Sequence, residues 1–287
     1  MSSTVVVREW RDRRMVVALR FVDATTGGSV RQPLQLQTPL QTPNSRPLSR
    51  FVRNLSGHYV LMEAAGFEDY SETFDLDELA AAPATQTLTL EVSDPSGQYL
   101  PRQFSLSLPR NPAIDPASVA AATSLFQPVR VALYPSPNAR VNPGWAVLRA
   151  TVVTAITHQR LPWAVVRATT TETTTLTQAD WRGEALIAVP GIPITTWATG
   201  AGAGPGPPPV TATEVDATLE VVFDPALTTI SESADFSQLI DPNPNFRPDP
   251  DRLNTQRSGL LVGSVSLRLA SGRDLPYRLA VTLSAVP

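Results

Sequence analysis

Residues 17–38 read VALRFVDATTGGSVRQPLQLQT. Val17 to Val22 are apolar but for Arg20, then Thr25-Thr26-Gly27-Gly28 breaks the run, and a second alternating run follows Pro33. A β-favouring run, a glycine turn and a second run predict strand, turn, strand. Pro33 suits the opening of a strand, where a missing N–H does little harm. Side chains alternate across a strand, so Leu34, Leu36 and Thr38 are expected on one face and Gln35 and Gln37 on the other.

The same design returns at 146–167, AVLRATVVTAITHQRLPWAVVR. Leu19-Arg20 and Leu148-Arg149 are each followed by a proline, Pro33 or Pro162, at equal distance, and Trp163 falls where the first copy has Leu34. Leu90-Glu91-Val92 maps onto Leu219-Glu220-Val221 at the same offset, and the Gly57 segment maps onto the Gly183 segment with a small shift. A period this long reads as tandem domains rather than a solenoid. The expected fold is all-β, with two tandem Ig-like or transthyretin-like β-sandwich domains. They divide as 1–112, a linker at 113–126 and 127–287. Asp115-Pro116 is a good helix start, an N-cap followed by proline at the first helical position, so the linker should hold a short helix.

Outside the repeat, 5–10 is expected as a first strand, 75–82 as a helical turn and 129–134 as the strand that opens the second domain. Runs 87–92, 104–108 and 218–223 alternate as strands, and 264–269 with 279–283 should close the chain as a hairpin around Gly272, echoing Gly97. Residues 199–209, TGAGAGPGPPP, form a loop without core-forming side chains. Residues 226–258 lack a counterpart in the first half and are polar and rich in Pro, Asn and Asp. They read as an inserted arm that is disordered in the free protein and orders on a partner.

Composition narrows the function. The chain has 287 residues, room for two cores, with 28 prolines and only 17% charged residues. Its net charge of −3 makes no electrostatic case for nucleic acid. All 23 Lys and Arg are arginine, so there is no Schiff-base or P-loop lysine. Arginine also suits buried interface ion pairs. The absence of cysteine excludes disulfides, thiol nucleophiles and Cys-based zinc. The N-terminus does not read as a signal peptide and no stretch is long enough to span a bilayer. The expected location is the cytoplasm, or a particle released without a signal peptide.

Each chemical candidate has a plain alternative. His58 and His158 are the only histidines, and both sit at turns. Asp241, Asn243, Asn245, Asp249 and Asp251 alternate like a calcium loop, but Phe246 and Arg252 stand where glycine and a bidentate glutamate belong. Glu72, Asp75, Asp77 and Glu78 are acidic with no facing carboxylate, and Asn54-Leu55-Ser56 is a sequon without a secretion signal. No catalytic, cofactor-binding or metal-ligating residue is therefore nominated, no cofactor is implied, and the chain reads as not an enzyme. Trp10, Trp145, Trp163, Trp181 and Trp197 divide between core, protein interface and sugar stacking, with Trp163 and Trp181 the simplest core members and Trp197 a candidate for exposure.

VALRFVDATTGGSVRQPLQLQT followed by NLSGHYVLMEAAGFEDYSETFDL resembles carboxypeptidase-regulatory-like, or transthyretin-like, domains, through Asp23, Thr26, Gly27, Gly57 and Tyr59. In the second copy Val152 and His158 stand at the turn's Asp and Gly. The resemblance implies a sandwich that serves as a non-catalytic accessory. Tandem domains of this kind, bridged by LYPSPNARVNPGWAVLRATV at 133–152, are also similar to accessory proteins of bacterial contractile injection systems, phage-tail-like particles, among them adaptors of the cap or baseplate. That implies a structural adaptor with protein partners in a symmetric assembly, a homo-oligomeric ring being one form, without nucleic acid or membrane insertion. The alternative is a carbohydrate- or cell-surface-binding module.

Overall fold

Nearly every predicted alternating run is a strand in the computed structural model, which describes residues 15–38, 49–64, 66–67, 84–192, 194–196, 210–212, 214–235, 237, 241 and 247–286. In chain order the strands begin with β1 (Val17–Asp23), β2 (Gln35–Gln37), β3 (Ser49–Arg53), β4 (Tyr59–Ala64), β5 (Gln86–Ser93), β6 (Arg102–Leu108) and β7 (Val129–Leu133). The next are β8 (Ala146–Thr154), β9 (Gln159–Arg160), β10 (Val165–Thr169), β11 (Thr174–Gln178), β12 (Glu184–Val189), β13 (Ile194–Thr196) and β14 (Val210–Ala212). The last are β15 (Glu214–Phe223), β16 (Ile230–Ser231), β17 (Leu261–Ala270), β18 (Asp274–Val281) and β19 (Ser284–Ala285). The two described helices are short, α1 (Pro116–Ala120) and α2 (Pro250–Thr255). The predicted segments 5–10 and 75–82, the acidic run 72–78, the 199–209 loop, Trp10 and Trp197 lie outside the described residues. Among the described residues no helix is long and apolar enough to cross a membrane.

The chain separates into two units. One comprises residues 1–20, 38–88 and 106–130, the other 21–37, 89–105 and 131–287. In the first unit β1 pairs antiparallel with β4 (Val17↔Leu61, Leu19↔Tyr59), and β3 flanks β4 with a bulge between Arg50 and Phe51. Leu19 and Leu61 are fully buried there. Helix α1 begins as its sequence dictates: the Asp115 carboxylate accepts the Ser118 N–H, and Pro116 occupies the first turn.

The second unit holds two large sheets. In one, β11-β10-β15-β17-β19 is antiparallel throughout. In the other, β12 and β9 pair antiparallel with β8, while β18 lies parallel to β8. Leu148, Val152 and Ile187 from one sheet and Val166, Leu219, Val221 and Leu269 from the other share one apolar core, the signature of a sandwich. Gly263 marks a tight approach. A Cβ there would sit 2.5 Å from the Thr282 carbonyl oxygen and 3.1 Å from its carbon. Neither backbone atom can swing away, so G263A should lose about 1–3 kcal/mol. Urea unfolding measures this, and a loss below about 0.5 kcal/mol, ordinary for a surface site, would contradict it.

The turns that follow β1 and β8 share one hydrogen-bonding pattern, at a register other than the one the sequence suggests. Val30 donates to Phe21 O as Leu161 does to Val152 O; Gly27 donates to Asp23 O as His158 does to Thr154 O. Val22 bridges Ser29 as Val153 pairs with Arg160. The copies thus correspond at an offset of 131, from 22→153 and 29→160, not at the 129 of the Leu-Arg match. Ala150 is therefore the partner of Leu19. Thr154, not Val152, replaces Asp23. One residue fewer precedes β10, so Ala164 rather than Trp163 answers to Leu34. Along β1 and β8 the slip is two residues, which leaves each side chain on its face, and this is why alternation does not detect it there.

Three further expectations change. Strand β7 adjoins β1, with Ala24 N–H donating to Leu133 O, instead of opening a new sheet. The Gly272 turn exists (φ +70), but it is no hairpin: β17 pairs with β15 and β18 with β8, so the chain changes sheets there. The described parts of the inserted segment are packed rather than free. Leu227 joins the main core, β16 pairs with β9, and Leu253 of α2 packs with Val165, Val222 and Leu260.

Candidate functional site

The candidate residues for chemistry are spent on structure. His58 closes a turn, its N–H donating to Asn54 Oδ1. His158 stands at φ +55, with Nδ1 2.7 Å from an Arg278 guanidinium that grips both oxygens of Glu232. Asn54, the sequon residue, has a counterpart in Asp180, whose Oδ1 accepts the Arg182 and Glu184 N–H groups. Burial pushes the Asp180 carboxyl above its ordinary range despite these bonds and the Arg182 side chain. Asn243, Asn245 and Phe246 lie outside the described residues; Asp241 is paired with Arg247 at 3.0 Å. Among the described residues no group of three or more His, Cys, Asp or Glu is placed to hold a metal ion.

Asp249 and Asp251 have a different task. Arg102 is fully buried on β6, and its Nη2 lies 2.9 Å from Asp249 Oδ1 and 2.7 Å from Asp251 Oδ2. Its Nη1 donates to Ala132 O and its Nε to Gln103 O. The guanidinium carbon stands 5.6 Å from the centre of the Tyr134 ring, whose hydroxyl donates to Asp251 Oδ1. Burial, then the Asp251 charge, pushes that phenol up. Asp249 also caps α2 by accepting the Asp251 and Arg252 N–H groups. The cluster therefore clamps α2 to β6. No local pattern marks Arg102 or Tyr134, which lie far along the chain from the carboxylates.

Trp163 is a second long-range node. It is buried in the main core at φ +61, and the Arg247 guanidinium carbon lies 5.1 Å from the centre of its ring. Its indole N–H is buried with no hydrogen-bond partner among the described residues. Trp181 and Trp145 are partly buried against apolar clusters, so of the described tryptophans Trp163 is the fully enclosed one.

Two surface features remain. Large aliphatic side chains stand out on turns or loops: Leu55 and Ile114 in the first unit and Ile156 in the second, the last 81% exposed. The second unit also carries a cleft of about 220 Å³ lined by Asp23, Gln32, Gln98, Arg140, Asn142 and Trp145, among others. Beneath it Tyr99 donates to Asp23 Oδ2 at 2.9 Å, and burial, then Asp23, pushes the phenol up. Burial also acts to raise Asp94, but bonds from Ser96, Tyr99 and Gln32 outweigh it and hold this carboxyl below its ordinary value.

No family model matches the chain, and no curated protein matches it. Among solved structures it is similar to the shaft pilin SpaA of Lactobacillus rhamnosus GG. Identity is 10%, coverage is 94% of this chain and 97% of that one, and the TM-score is 0.17. A likeness this loose carries no functional argument, and the all-β architecture rests on the strands themselves.

Proposed function

We propose that the chain is a non-enzymatic structural adaptor in a large bacterial protein assembly, a cap or baseplate accessory of a phage-tail-like contractile injection system. The observation that carries the reading is the presentation of bare aliphatic side chains on pinned turns. Isolated exposed apolar residues are ordinary on any surface. These differ in their support. Leu55 sits between Asn54, which receives the His58 N–H on its side chain, and Gly57, whose N–H returns to Asn54 O. Ile156 sits in a turn closed by His158 N–H to Thr154 O, with the Thr154 hydroxyl receiving Gln159 N–H and meeting that of Thr157. An anchor already held in place loses little entropy on docking, which favours a static protein contact. The specific assembly comes from the resemblance of the tandem domains. The sugar-binding alternative is weakened by the burial of Trp163 and the core packing of Trp181.

The test is incorporation. A tagged chain expressed with the particle genes of its host should co-purify with assembled particles. L55D and I156D should each leave the unfolding midpoint unchanged and reduce recovery in particles at least tenfold. A monomer that never enters a particle, or undiminished recovery of both variants, sinks the proposal.

A further inference from the structure

The cleft on the second unit is lined by hydrogen-bond donors because its amide oxygens are already used. Gln98 Oε1 accepts the Arg140 backbone N–H at 3.2 Å, and Asn142 Oδ1 accepts the Gly144 N–H at 3.1 Å. Each side chain is thereby oriented with its NH₂ group uncommitted. The Arg140 guanidinium is exposed, and no carboxylate lies within ion-pair distance of it among the described residues. The one carboxylate in the lining does not compete for these donors. Asp23 Oδ1 already accepts the Thr25 and Thr26 N–H groups and the Thr26 hydroxyl, and Oδ2 accepts the Tyr99 hydroxyl. Gln32 is the exception in the set: it gives its NH₂ to Asp94 at 3.5 Å and keeps an oxygen. Trp145, seated on Ala139, Val147 and Leu186, forms a firm aromatic wall.

We propose that this cleft binds the carboxylate of an acidic residue in a peptide segment of a partner protein. Arg140 and the NH₂ groups of Gln98 and Asn142 hold the carboxylate, the planar guanidinium matching it in shape and charge. The free Gln32 oxygen takes an N–H of the ligand, which a peptide supplies. A cleft of about 220 Å³ has room for one acidic side chain with its peptide group. The choice of a partner protein as the source rests on the adaptor reading; the carboxylate chemistry does not.

The experiment uses the full chain, ¹⁵N-labelled, titrated with acetylated, amidated tetraglutamate, with tetraglutamine of the same form, and with glucuronate. Tetraglutamate should move the side-chain NH₂ signals of Gln98 and Asn142 and the indole N–H of Trp145 saturably, and more weakly as salt is added. R140A, at an exposed position, should keep the wild-type spectrum elsewhere and weaken binding at least tenfold. Equal response to tetraglutamine, or an unchanged affinity in R140A, overturns the carboxylate site. Glucuronate binding as tightly as the peptide overturns the peptide source. Peptide binding by a chain that never enters particles would refute the adaptor reading and leave the site standing, so the two failures are distinct.

Discussion

Neutralising both carboxylates that face Arg102, as D249N with D251N, is expected to destabilise the second unit by about 3–5 kcal/mol, because it leaves a buried guanidinium without its counter-charge. Asparagine keeps the helix cap that Asp249 provides, so the change isolates charge from capping. Removing the other partner should cost less. Arg102 is fully enclosed, but the Asp249 and Asp251 side chains are 23% and 54% exposed, and in R102A water can reach them. R102M should be milder still, since an apolar chain fills the volume and a buried pair can often be replaced that way. The expected order of loss is therefore D249N/D251N, then R102A, then R102M, read as urea midpoints followed by tryptophan fluorescence. Native-state proteolysis within 247–258 should rise in the same order. If R102A is the most damaging, the clamp works by packing rather than by charge.

At Trp163, truncation to alanine is expected to cost about 3–5 kcal/mol, the usual range for emptying an aromatic site in a core. The Arg247 contact is lost with the ring. W163F should stay within about 1 kcal/mol of the parent, because the smaller ring also removes a buried N–H that has no partner among the described residues, itself a penalty of about 1–3 kcal/mol. The backbone makes a sharper prediction. At φ +61 a side chain costs about 1–2 kcal/mol that glycine does not. W163G should therefore be no less stable than W163A, against the usual order in a strand-rich core. Thermal unfolding of the three variants measures this, and a glycine variant clearly below alanine would show that the left-handed backbone is not under strain.

The legible parts of this chain are the local ones. Leu34, Leu36 and Thr38 turn inward and Gln35 and Gln37 outward, as alternation requires. Gly27, Gly57, Gly97, Gly183 and Gly272 all take positive φ. Asp115-Pro116 starts a helix. The two-residue error in the repeat came from the same local rule, since two registers differing by one full period look alike. The Gly272 turn is legible but the partners of its two strands are not, because a turn glycine does not say whether the chain folds back or crosses to another sheet.

The candidate site was the least legible. Arg102 meets Asp249 across 147 positions and Tyr99 meets Asp23 across 76. The acidic residues near 241–251 alternate like a calcium loop without completing one, and the described carboxylates among them belong to arginines. The cleft depends on which amide oxygens are spent, and composition carries no trace of that.

Sequence alone determined the all-β class and the turns, because alternation and glycine act over a few residues. Tertiary structure decided the register between the copies, the switch of sheets at Gly272 and the partners of each charge. Those depend on contacts between residues tens to more than a hundred positions apart, whose energy no local pattern encodes.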